Sequence, residues 1–248
     1  MITIKTPEEI SIMAEGGKIL AKVLGEIGKQ VKPGVTTIEL DRAAEALILS
    51  HGAEPSFKGY EGFPHSLCAS VNENIVHGYP SGYTLKKGDI VGLDLGVLYK
   101  GFNTDMAITV PVGKVSFEAK RLINTAKKSL RLGIKKAKVG NTIGDIGNTI
   151  QRFIEGQGFG VVKDLCGHGI GKKVHEDPKI PNFGKRKTGE ELKEGMVICI
   201  EPMVTMGDFN LIKSKDSYGY ATKDSSLAAH FEHTIAITKS GPRVLTEI

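Results

Sequence analysis

Residues 88–110 read Gly-Asp-Ile-Val-Gly-Leu-Asp-Leu-Gly-Val-Leu-Tyr-Lys-Gly-Phe-Asn-Thr-Asp-Met-Ala-Ile-Thr-Val. Two apolar, β-branched runs flank Lys100-Gly101, which suits the positive φ of a tight hairpin turn. Asp94 sits in the middle of the first run and Asp105 in the middle of the second. Strand side chains alternate with period two. A turn centred on Tyr99-Lys100 makes the two aspartates direct partners; one centred on Lys100-Gly101 shifts Asp105 two residues along, on the same face. In either register two carboxylates converge inside an apolar hairpin. Burying them demands compensation, and neither run contains Lys or Arg. A divalent cation or a set of backbone donors would supply it.

At 248 residues the chain can bury a full core, as one large domain or two fused halves. Net charge is +5, spread over the surface apart from Lys185-Arg186-Lys187 and Lys135-Lys136. A solvated surface accounts for most of it, and a contact with ribosomal RNA is the other reading. Cys68, Cys166 and Cys199 lack zinc-finger spacing and fit a reducing cytoplasm better than a disulfide framework. The N-terminal stretch has no signal-peptide apolar core, and no run approaches transmembrane length. A cytoplasmic location with no membrane and no DNA partner is expected.

Outward from the hairpin, helix signals come in pairs. Thr6-Pro7-Glu8-Glu9 predicts a capped start, with Ile10, Met13, Gly17, Leu20, Leu24, Ile27 and Val31 on one face. Thr36 and Glu39 start a second helix carrying Leu40, Ala43, Leu47 and Ile48, with Gly52 placed to end it. After Pro111, Ser116 starts a helix with Leu122, Ala126, Leu130 and Ile134. Thr142 and Asp145 start another with Ile146, Ile150, Phe153 and Ile154, ended near Gly158. Strands are expected over Leu67–Val71, at Val161-Val162, over Met196–Ile200, and as one run from His230 to Ile237. Asp208 to Ser226 has the composition of a surface flap.

The two halves, 6–111 and 112–248, repeat each other at an offset of about a hundred residues, too long for a solenoid. Gly34, Thr36, Glu39, Leu40, Ile48 and Gly52 match Gly140, Thr142, Asp145, Ile146, Ile154 and Gly158. Cys68, His77 and Pro80 match Cys166, His175 and Pro178, and Leu85–Gly88 matches Leu192–Gly195. In that register Asp94 falls on Glu201, and with one further gap Asp105 falls near Glu232. Two such halves facing each other form a single catalytic domain and bring four carboxylates to one centre. His168, between glycines, adds an imidazole. This donor set is unlike a closed structural zinc site and suits a pair of Mn, Fe, Co or Zn ions about 3.5–4 Å apart. His230 has the parity of Glu232 and is expected behind the ligands. His233 faces the other way and, with His51 and His65, reads as core or surface.

The ordered set Cys68…His77-Gly78, Asp94…Asn103-Thr104-Asp105, Gly167-His168-Gly169-Ile170-Gly171…His175-Glu176-x-Pro178, Glu201-Pro202 and Phe231-Glu232-His233-Thr234 resembles the type I methionine aminopeptidases along the whole chain. The resemblance implies the α+β pita-bread fold, a curved, largely antiparallel sheet backed by helices. It implies two divalent ions held by Asp94, Asp105, His168, Glu201 and Glu232, with Asp105 and Glu232 as bridges. Glu201 would move protons, and His77 and His175 would contact substrate or the reacting amide. Tyr60, Phe63, Cys68 and His77 match the positions that line the methionine pocket. Val174 stands where the family often has an aromatic residue, and Tyr218 replaces the flap Trp, so a looser pocket is expected.

The implied activity is removal of the initiator Met of nascent chains when the second residue is small, by a monomer. An Xaa-Pro peptidase of the same fold is the alternative, but the first helix begins at Thr6 and leaves no room for the additional N-terminal domain of those enzymes. A non-catalytic protein- or RNA-binding module is the reading from another class, and such modules usually lose ligands that persist here.

Overall fold

The computed structural model describes residues 2–214 and 218–247. Helix α1 (Pro7–Gln30) starts at the expected capping box. Glu9 N–H donates to Thr6 Oγ1 at 3.2 Å and Thr6 N–H to the Glu9 carboxylate at 3.0 Å, satisfying two donors that the first turn leaves free. Val31 lies just past the helix as its C-terminal cap. Helix α2 (Thr37–Ser50) repeats the device with Thr36 and Glu39. Helix α3 (Phe117–Ile134) is capped by Ser116, and α4 (Ile143–Gly156) opens with Thr142 N–H donating to Asp145 at 2.9 Å.

The strands of the first half are β1 (Glu54–Pro55), β2 (Leu67–Val71), β3 (Asn74–Val76), β4 (Ile90–Tyr99) and β5 (Phe102–Pro111). Those of the second are β6 (Gly160–Val161), β7 (Cys166–Gly169), β8 (Glu176–Pro181), β9 (Val197–Ile200), β10 (Met203–Thr205), β11 (Leu211–Lys213), β12 (Tyr220–Thr222), β13 (Ala228–His230), β14 (Glu232–Thr238) and β15 (Gly241–Val244). The main sheet has nine strands in the order β1-β4-β5-β14-β9-β7-β8, with β2 beside β4 and β15 beside β14. All of its pairings are antiparallel. The halves meet where β5 pairs with β14.

The two largest apolar cores among the described residues sit between sheet and helices. One joins Leu20, Leu24, Leu40 and Ile48 to Leu93 and Leu95; the other joins Leu122, Leu130, Ile146 and Ile150 to Ile198 and Ile235. Helix α1 lies so close to the C-terminal segment that a Cβ on Gly17 would stand 2.3 Å from the carbonyl oxygen of Leu245. Alanine has the higher helix propensity by about 1 kcal/mol, but here its Cβ would run into the Leu245–Thr246 backbone. Gly17→Ala is therefore expected to destabilise the fold by about 1–3 kcal/mol in urea unfolding; a more stable variant would refute this packing.

The strand expected from His230 to Ile237 is in fact two. β13 pairs with β10 in a small sheet, whereas β14 pairs with β9 in the main one. The register is His233 opposite Ile200 on one side of the break and His230 opposite Met203 on the other. Pro202 has no N–H to continue the ladder, so both strands bend there together, and Phe231 N–H reaches the Pro202 carbonyl at 3.4 Å. Glu201 and Glu232 flank this bend. The segment expected as a flap contains β11 and β12, and β12 pairs with β3; Lys215, Asp216 and Ser217 of that segment lie outside the described residues.

Candidate active site

The hairpin takes the second of its two expected registers. Lys100 and Gly101 have φ of 48° and 81°, Tyr99 pairs with Phe102, Asp94 with Ala107 and Gly96 with Asp105. The row continues sideways: Cys68 opposes Asp94 on β2, and Glu232 opposes Ala107 on β14. Directly opposed residues share a face, so Cys68, Asp94 and Glu232 point together, and the small Ala107 leaves the space between the two carboxylates open. Asp105 joins them from two residues along β5. Thr234 fixes its backbone, accepting from Asp105 N–H at 2.9 Å and donating to Asp105 C=O at 2.8 Å.

His168 enters from β7. A Cβ on Gly167 would stand 2.3 Å from Cys199 O, and one on Gly169 2.1 Å from Asp177 O, so both neighbours must be glycine for β7 to lie this deep. The Nδ1–H of His168 faces the Gly169 carbonyl at 2.9 Å, which leaves Nε2 as a free donor atom toward the centre. Nε2 lies 3.7 Å from Glu201 Oε1, 3.9 Å from Glu232 Oε1 and 4.0 Å from Asp105 Oδ2. Asn182 Nδ2–H holds the Glu201 carbonyl at 2.9 Å. The five residues expected as ligands thus come together, all buried.

Their electrostatics are those of a cage built for positive charge. Burial raises the pKa of Asp94. Burial, and then the neighbouring carboxylates, push Asp105, Glu201 and Glu232 well above the usual range. Burial lowers His168 to about 3, with His175 adding to it. Among the described residues Asp94 Oδ1, Asp105 Oδ1 and Glu232 Oε1 are buried with no hydrogen-bond partner, a costly state unless a cation accepts them. Atoms bound to one ion at about 2.0–2.2 Å stand roughly 3–4 Å apart, close to the separations seen around His168. Among the described residues two groups have donor atoms mutually within 4.8 Å: Asp105, His168, Cys199 and Glu232, and Asp94, His230 and Glu232. Glu232 belongs to both.

Cys199 and His230 extend the expected set. Cys199 shares parity with Glu201 along β9, and this alternation was the available signal in the sequence. Its thiol sits 3.6 Å from Thr234 Oγ1, and burial drives its pKa well up. Asn182 had no comparable signal, because it acts through a tertiary contact alone.

Beside the carboxylates lies a cavity of about 310 Å³ lined by Tyr60, Phe63, Cys68, His77, Val174, His175 and Tyr218, among others. All the residues expected for the side-chain pocket therefore meet there. Phe63 packs edge-on against Tyr218 at 5.7 Å between ring centres. A wider cleft of about 900 Å³ adjoins it past His77, His168, His175 and Glu201, toward Cys166, Met203 and Lys172. His77 and His175 both front this junction. Tyr60 Oη is 3.0 Å from His175 Nδ1, and the His175 ring stands edge-on to His168 at 4.4 Å. Although the His77 ring is open to the cleft, the surrounding wall and His230 push its pKa down to about 4. Of the other histidines, His65 pairs with Asp41 at 2.7 Å, and His233 faces away, 2.8 Å from Thr246.

A sequence model of metallopeptidase family M24 matches residues 11–239. The chain belongs to this family. Like other M24 proteins it curls an antiparallel sheet backed by helices into the pita-bread fold, and it is a metallopeptidase. It is 50% identical over 248 residues, the full length of both chains, to a methionine aminopeptidase of Clostridium perfringens. It is 46% identical, again over both full lengths, to methionine aminopeptidase 1 of Bacillus subtilis. The solved structure of a Thermotoga maritima methionine aminopeptidase matches with a TM-score of 0.98 at 41% identity and covers 100% of both chains. A prolidase of Pyrococcus furiosus matches less well, with a TM-score of 0.80 at 26% identity, covering 99% of this chain and 65% of the prolidase.

Proposed function

We propose that this chain is a methionine aminopeptidase that hydrolyses the first peptide bond of chains beginning with Met followed by a small residue. The observation that carries this is the join between the carboxylate cage and the small aromatic cavity. A side chain entering between Phe63, Cys68, Val174 and Tyr218 places its own amine and carbonyl beside Asp94, His168 and Glu201. A cavity with aromatic walls that opens onto the carboxylates suits the side chain of a terminal residue.

Asp94, Asp105, His168, Glu201 and Glu232 would hold divalent ions, and the sharing of Glu232 between two donor groups supports two of them. Mn, Fe, Co and Zn all suit these donors. Such ions supply Lewis-acid polarisation of the scissile carbonyl and ready ionisation of water near neutral pH. The remaining work falls to side chains. Glu201 takes the proton of the attacking water and passes it to the departing amine. With Tyr60 donating to Nδ1, His175 carries its proton on Nε2 and offers it to the carbonyl oxygen as negative charge develops there. His77 donates to the reacting amide. The lining of the side-chain pocket is apolar and partly soft, as a thioether requires.

Halves 6–111 and 112–248 are a duplication within one catalytic domain in this reading, acting as a cytoplasmic monomer on nascent chains. That Cys68, Cys166 and Cys199 form no disulfide among the described residues is consistent with a reducing compartment. Among the described residues no helix is long and apolar enough to cross a membrane. Residues 117–138, with eight Lys or Arg against Glu118 alone, support a contact with ribosomal RNA.

The test is an assay of metal-stripped protein on Met-Ala-Ser, Met-Lys-Ser and Ala-Pro peptides with Mn, Fe, Co or Zn restored. Cleavage of Met-Ala-Ser alone is expected, with Met-to-Leu selectivity softened by Val174 and Tyr218. Cleavage of Ala-Pro but not Met-Ala-Ser would transfer the chain to the Xaa-Pro enzymes.

A further inference from the structure

We propose that His230 is a sixth metal-binding residue, giving the centre a second imidazole through Nε2. Its side chain is 3% exposed, and Nε2 is buried without a hydrogen-bond partner among the described residues. That atom lies 3.6 Å from Glu201 Oε2 and 3.6 Å from Glu232 Oε2, and it completes the group with Asp94 and Glu232. The backbone holds it there from both ends: His230 N–H donates to Thr109 Oγ1 at 2.9 Å, and Thr109 Oγ1–H donates to His230 C=O at 2.8 Å. The bend at Pro202 and Phe231 turns the ring inward, so the side chain of β13 reaches a site built on β14.

An imidazole nitrogen without a proton is an acceptor only, and it cannot satisfy the carboxylates that face it. An imidazolium would face Glu201 Oε2 and Glu232 Oε2, but its single N–H would still leave Asp105 Oδ1 and Glu232 Oε1 without a partner among the described residues. A divalent ion accepts Nε2 together with one carboxylate oxygen each from Asp94 and Glu232. His168 then serves one group and His230 the other, with Glu232 between them. This rests on the metal reading of the site made above.

The test uses the full-length metal-free protein, titrated with zinc against a chromogenic chelator, as wild type and as His230→Gln, which retains polarity and much of the volume. Two zinc ions are expected in the wild type, with the affinity of one reduced at least about tenfold to a hundredfold in the variant and the other unchanged. X-ray absorption of the two-zinc protein should count two imidazoles in the wild type and one in His230→Gln. Two ions bound with unchanged affinities in His230→Gln, or a single imidazole in the wild type, would overturn the role of His230 and leave the metal reading intact. A wild type that binds no zinc would overturn both.

Discussion

Glu201→Ala is expected to abolish peptide cleavage, with turnover down by at least about a thousandfold, while the protein still folds. Positioned proton transfer alone contributes about 10²–10⁴ in rate, and Glu201 also borders the cage, 3.7 Å from His168 Nε2. The fold does not depend on this carboxylate. Glu201 stands beyond the end of β9 with its carbonyl held by Asn182, and its raised pKa shows that burial and Asp94 work against the charge. Metal-free Glu201→Ala should therefore melt at or above the wild-type temperature. Kinetics on Met-Ala-Ser together with circular dichroism check both halves; a rate within tenfold of wild type would remove Glu201 from the chemistry.

The second large effect is thermal. Binding at a thousand times the dissociation constant adds about 4 kcal/mol, which for a chain of this size raises the melting temperature by roughly 8–16 °C. Asp105→Asn should reverse the pattern. Removing one of several mutually repelling buried carboxylates stabilises the metal-free state, and the gain on adding metal shrinks because a donor is lost. The sign with pH follows from the same cause. Carboxylates whose folded pKa is raised hold protons more tightly in the native state, so they favour folding at low pH and lose that effect as pH rises through the folded pKa. His77 and His168 are depressed to about 4 and 3 and oppose this only below the ordinary histidine range. As pH rises from the ordinary carboxylate range through their raised folded values, the cage carboxylates of metal-free wild type should thus cost stability, more steeply than those of Asp105→Asn. Differential scanning fluorimetry with and without metal measures all of this, and an Asp105→Asn protein that keeps the full metal shift would contradict it.

Helix starts at Thr6, Thr36, Ser116 and Thr142 were legible in the sequence because a capping residue acts on N–H groups two or three positions away. The hairpin around Lys100-Gly101 was legible for the same local reason, and alternation then placed Asp94 and Asp105 on one face. The break at Phe231 was not. Its cause is Pro202, which lies 29 positions earlier and becomes a neighbour only when β9 and β14 pair. For that reason the sequence showed His230 and Glu232 as one strand, and only the bend reveals how far the His230 ring turns into the site.

What the sequence by itself determined is a set of five candidate donors and their order: two aspartates in apolar strands, two glutamates at matching positions in the second half, and a histidine between glycines. Burial of unpaired carboxylates already called for a counter-charge, whatever the fold. Tertiary structure alone decided the distances, since each half brings only part of the cage and the cage closes where β5 meets β14. It also decided that Cys199, His230 and Asn182 stand beside these carboxylates, brought there by pairing and bending between segments far apart in the chain. Local chemistry is written in neighbouring residues, whereas a site assembled across strands depends on register, and register is a property of the folded sheet.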